Sequence, residues 1–118
     1  MSLREDLQEV HTVEELDDAL EESNQRPVLF FKHSLTCPIS ARAFNELQSY
    51  LERPDSRINY KLITVQTARE VSDEAASKLG VTHQSPQAIL VRDGRQVWNA
   101  SHSEITASAL ERAIRKVA

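Results

Sequence analysis

The hydrophobic pattern alternates between helical and strand periods along the chain. Leu7–Val10 reads as a short first strand. Val13, Leu16, Ala19 and Leu20 then recur at helical spacing behind Thr12, and Thr12 with Glu15 forms a capping box, which predicts a helix over roughly 12–23. The polar loop Ser23-Asn24-Gln25-Arg26-Pro27 ends it. Val28–Phe31 is a continuous apolar run, the pattern of a strand covered on both faces in a largely parallel sheet, and the strand runs on to His33. A second helix opens at Cys37, carries Ala43, Phe44, Leu47, Tyr50 and Leu51 on one side, and stops at Pro54. Ile58–Val65 is rich in β-branched and aromatic residues and predicts the next strand. Thr67 with Glu70 predicts a second capping box, and the helix behind it turns Val71, Ala75 and Leu79 inward. Gly80 stands where a left-handed residue would close that helix. Ala88–Val91 and Gln96–Ala100 are strands joined through Asp93-Gly94, a hairpin signal. Thr106 caps a last helix with the stripe Leu110, Ala113, Ile114 and Val117, and Arg115 and Lys116 sit at its negative end.

The order β-α-β-α-β-α-β-β-α predicts an α/β fold, with a central mixed sheet flanked by helices on both faces and a closing antiparallel hairpin. At 118 residues one domain, 1–118, is expected. The net charge of −4 and the lack of a basic run argue against a nucleic-acid partner. No stretch has the length of a membrane span and the N-terminus has no apolar signal region. A single cysteine excludes a disulfide framework and points to a reducing, cytoplasmic setting.

That cysteine is the candidate for chemistry. In such sheets the binding crevice lies beyond the carboxyl end of a central strand, and Cys37 follows the most apolar strand of all. Pro38 suits the first helical position, where its missing N–H is no loss. Cys37 is then the N-cap, its sulfur facing free N–H groups at the positive end of the helix dipole, an arrangement that favours the thiolate. The alternative, a cysteine acting as a small buried hydrophobe, is opposed by the turn and by Pro38. Lys32 and His33 end the strand on opposite faces; either adds positive potential near the sulfur, holds the carboxylates of a small thiol, or is merely solvated. Ser40 and Thr36 either support the thiolate or are satisfied by water. Ser85-Pro86 reads as a rigid turn, while His83 and Gln84 read as solvated loop residues. Trp98 and Tyr60 read as sheet packing, and His11 and His102 have no ligand-like spacing, so no metal site is assigned.

Strand, then Cys-x-x-Ser opening a helix, then x-Pro before a hairpin, resembles the layout of thioredoxin-like proteins over nearly the whole chain. More closely, Lys32-His33-Ser34 with Thr36-Cys37-Pro38-Ile39-Ser40-Ala41 is similar to the bacillithiol system redox-active proteins, the monothiol bacilliredoxins of Firmicutes. The resemblance implies a thioredoxin-like fold and a one-cysteine thiol–disulfide oxidoreductase that removes bacillithiol from protein mixed disulfides. It makes Cys37 the nucleophile and Pro86 a cis-proline, with Ser40 where a dithiol relative has its second cysteine. Bacillithiol is then a co-substrate, no cofactor is tightly bound, and the partners are bacillithiolated client proteins that pair with the backbone at Ser85. Ser40, Thr36, Lys32 and Pro38 are the expected supports of the thiolate. Two other functions stay open on the residues: a glutaredoxin-like iron–sulfur carrier, disfavoured by Pro38, and a non-catalytic interaction domain.

Overall fold

A computed structural model describes residues 6–118. It contains β1 (Leu7–Glu9), α1 (Val13–Glu22), β2 (Val28–His33), α2 (Pro38–Tyr50), β3 (Asn59–Thr64), α3 (Arg69–Leu79), β4 (Gln87–Arg92), β5 (Arg95–Ser101) and α4 (Ala107–Val117). The strands form one five-stranded mixed sheet in the order β1-β3-β2-β4-β5. β2 and β3 run parallel, with Val28 opposite Asn59 and His33 opposite Thr64. β4 runs antiparallel to β2 and sets Gln87 beside Lys32. That register brings the end of β2, the start of α2 and the residues just before β4 to one end of the sheet.

The core divides by sheet face, as strand alternation requires. Leu29 and Phe31 meet Ala43 and Leu47 of α2 and Leu110 and Ile114 of α4 on one side. Val28 and Phe30 meet Leu16 and Ala19 of α1 and Val71 and Ala75 of α3 on the other. Four of the six residues of β2 are aliphatic or aromatic side chains with essentially no exposure, because both faces are covered.

Local chemistry sets most boundaries. Thr12 and Glu15 make the reciprocal capping box of α1, and Pro38 occupies the first turn of α2. Gly80 closes α3 at φ +65°, and Asp93 and Gly94 both take positive φ in the β4–β5 turn. The start of α3 is a correction to the sequence reading. Its N-cap is Ala68 and no side chain caps it. The Thr64 carbonyl accepts the N–H groups of both Thr67 and Ala68, which tightens the turn and moves the helix start one residue on. Thr67 Oγ1 is left facing the Thr64 carbonyl at 3.5 Å instead of a helix amide. One element is additional: a 3₁₀ turn, His102–Glu104, capped by Ser101 and Glu104, lies between β5 and α4.

Candidate active site

Cys37 is the N-cap of α2, with extended backbone (φ −103°, ψ 120°) and no side-chain hydrogen bond to the helix amides. Its thiol is free and half-exposed. The residue thus stands at the end of the helix that presents unpaired N–H groups and partial positive charge. Leu35 and Ile39, two residues to either side in the chain, are 63% and 48% exposed, unusual for residues of their size, and give the segment that carries Cys37 an apolar surface.

The segment between β2 and α2 is held from two directions. From the β3–α3 turn, the Gln66 side chain accepts from Leu35 N–H at 3.1 Å and donates to Ser34 Oγ at 2.8 Å and Thr36 Oγ1 at 3.3 Å. From inside, Ser40, 0% exposed, accepts the Ser34 N–H at 2.9 Å and meets His33 Nδ1 at 2.8 Å. The His33 ring stacks on Phe44, with centroids 4.7 Å apart and planes 19° apart. Burial lowers the His33 pKa below its ordinary value, which favours the neutral ring. Ser40 therefore braces the loop through His33 and Ser34, and Thr36 turns its hydroxyl to Gln66. The hydroxyl that the sequence reading offered to the sulfur is engaged elsewhere.

Lys32 is the largest correction. It is 0% exposed and lies on the α3 side of the sheet, where Nζ donates to the Ser72 carbonyl at 2.9 Å and to His83 Nδ1 at 3.1 Å. It faces neither solvent nor a ligand's carboxylates. Desolvation lowers its pKa to about 8, partly opposed by the Asp73 carboxylate. An ammonium can only donate, so His83 accepts at Nδ1 and carries its proton on Nε2. The His83 pKa is lowered, first by burial and then by the Lys32 charge. His83 is accordingly an anchor of the loop before β4, not a solvated loop residue. Sequence reasoning had no means of finding it, because its partner lies 51 residues away.

That loop brings Ser85 and Pro86 to the same end of the sheet as Cys37, since Gln87 pairs with Lys32. The Ser85–Pro86 peptide is cis. Among the described residues the Ser85 backbone N–H and carbonyl make no hydrogen bond, and its buried Oγ has no partner.

The sequence matches the family described as Monothiol bacilliredoxin BrxC over residues 8–110. The chain belongs to the monothiol bacilliredoxin family. Among solved structures, this bacilliredoxin is similar to a putative oxidoreductase with a thioredoxin fold, at 35% identity and a TM-score of 0.80, covering 92% of this chain and 93% of that one. It also superposes on Fasciola hepatica thioredoxin at a TM-score of 0.75 with 14% identity, covering 94% of this chain and 99% of that one. Malassezia sympodialis thioredoxin gives a TM-score of 0.77 at 12% identity, covering 99% and 95%. The two thioredoxins bear on the fold alone. Family and fold together make this bacilliredoxin a thiol oxidoreductase of thioredoxin-like architecture. None of its helices is long and apolar enough to cross a membrane among the described residues.

Proposed function

We propose that Cys37 is the nucleophile of a one-cysteine thiol–disulfide exchange that takes bacillithiol off client proteins in the reducing cytoplasm. The observation that carries this reading is the thiol itself. It is half-exposed at the first cap of α2 with no hydrogen bond to the helix, and the residue three positions on is a buried, fully engaged serine. In the first step the Cys37 thiolate attacks the small-thiol sulfur of a client mixed disulfide. The client sulfur leaves as a thiolate and takes a proton from water, and Cys37 holds the small thiol in a new disulfide. No electrons are gained or lost overall. With no second cysteine in the chain, release needs an external thiol, which attacks that disulfide and leaves as a symmetrical small-molecule disulfide while Cys37 is restored.

Clients dock on the apolar surface of Leu35 and Ile39, and an extended client segment pairs with the free backbone groups of Ser85 in the manner of strand addition. Gln66, Ser40 and His33 support the reaction by holding residues 33–37 in shape. The test is to incubate a bacillithiolated protein with the wild type and with Cys37→Ser and to follow release by intact mass. Rapid release with the wild type alone is expected, and equal release with both refutes the reading.

A further inference from the structure

A groove of about 410 Å³ opens between the first turns of α2 and the segment joining β5 to α4. Its floor is apolar, from Ile39, Ala43 and Ile105, and its rim carries Arg42, Ser103 and Thr106. Cys37 itself does not line the groove, but Ile39, two residues further along the same first turn of α2, does. One wall is tied to the proline loop, since the His102 N–H donates to the Pro86 carbonyl at 3.1 Å. His102 takes φ +53°, a left-handed conformation that a residue with a side chain rarely adopts, and such positions concentrate at ligand sites. The volume is that of a small-molecule site, too small for a folded partner.

The charge at this groove is specific. The chain is acidic overall, at −4, so an anionic ligand is repelled unless a local cation receives it. Lys32 is buried on the other face, and His33 Nδ1 is engaged by Ser40. Arg42 is exposed and makes no ion pair among the described residues. The one carboxylate at the groove, Glu46, accepts the Ala107 N–H at the start of α4 at 2.9 Å and is not paired with Arg42. We propose that this groove receives the carboxylate-bearing arm of the small thiol whose sulfur reacts at Cys37, with Arg42 as the anchor. A guanidinium matches a carboxylate in a two-point fork, and the apolar floor carries the body of the arm. The inference rests on the thiol-exchange reading above. It adds the part of the substrate that reading leaves unplaced.

The hollows around Glu22, Arg26 and Asn59 lie at the opposite end of the sheet from Cys37.

The test compares two disulfides of equal reach, oxidised glutathione and its tetramethyl ester, in which the carboxylates are blocked. Each reacts with Cys37 to leave one glutathionyl group on the sulfur and release one thiolate, and intact mass gives both rates. The acid-to-ester rate ratio is measured for the wild type, Arg42→Glu, Arg42→Lys and Arg112→Glu; Arg112 lies on α4 away from the groove, so its reversal makes the same change in net charge. An exposed ion pair of this kind supports up to about a fivefold effect. The ratio for Arg42→Glu is expected to fall about fivefold below that for Arg112→Glu, with Arg42→Lys between Arg42→Glu and the wild type. Equal ratios for the two Glu variants overturn the subsite while leaving the nucleophile in place. A folded wild type that reacts with neither disulfide overturns the exchange reading and this inference with it.

Discussion

Replacing Lys32 by methionine keeps the length of the side chain and removes its charge and its hydrogen bonds, and the consequence depends on pH in a defined way. In the folded chain the Lys32 pKa falls from 10.5 to about 8 because burial penalises the ammonium. At about 1.4 kcal/mol per unit that burial costs roughly 3 kcal/mol when the group is charged. Below pH 8 both the folded and the unfolded chain hold the proton, so this cost is fully present and does not vary with pH. Between pH 8 and 10.5 the folded chain has released the proton while the unfolded chain still binds it. Stability therefore rises through that window by about 3 kcal/mol on account of this residue. Methionine relieves the cost but removes both ammonium hydrogen bonds, at about 1 kcal/mol each. Neither acceptor is left stranded: the Ser72 carbonyl lies within α3, and His83 Nδ1 keeps the Ser72 hydroxyl at 3.3 Å. Near pH 7 the two effects largely offset, and Lys32→Met is expected within about 2 kcal/mol of the wild type. At pH 10 the relief is gone, and the wild type is expected to lead by about 3 kcal/mol more than at pH 7. Tyr60, whose pKa is raised by burial and by its bond to Tyr50, acts in the opposite sense at high pH. Both proteins carry it, so it cancels in the difference. Urea unfolding followed by the fluorescence of Trp98, the one tryptophan, gives both stabilities. A wild-type-minus-variant difference that stays flat from pH 7 to 10.5 refutes the claim that Lys32 is a desolvated ammonium.

Two further substitutions probe the supports. Ser40→Ala removes the partner of the Ser34 N–H and of His33 Nδ1 in a half-buried site, so a loss of about 1–2 kcal/mol is expected in urea unfolding at pH 7; unchanged stability shows that the brace is not needed. Gly80→Ala meets no neighbouring atom within 4 Å but must hold φ +65°. Left-handed strain of about 1–2 kcal/mol outweighs the smaller gain from a stiffer unfolded chain, so a net loss near 1 kcal/mol is expected, and a stabilised variant contradicts it.

Much of the fold was legible because its signals are local. The apolar run of β2, the Thr12–Glu15 box, Pro38 after Cys37, Gly80 after α3 and Asp93-Gly94 in the hairpin each act through neighbouring residues, and each stands where the sequence places it. The Thr67–Glu70 box misled because the Thr64 carbonyl competed for the same turn, a contest that residue types do not display.

By itself, then, the sequence determined the order of elements, the α/β architecture and the place of Cys37 at the head of α2, since helix and strand periods and caps are short-range properties of the chain. Alternation also put Lys32 and His33 on opposite faces. Only the tertiary structure decided what covers each face: α3 and the His83 loop close over Lys32, while Ser40 and Phe44 enclose His33. The same holds for Gln66, some 30 residues from the loop it ties down, and for the Arg42 groove, whose walls come from α2 and the approach to α4. A contact between distant segments depends on how whole elements pack together, and no local pattern of residues encodes it.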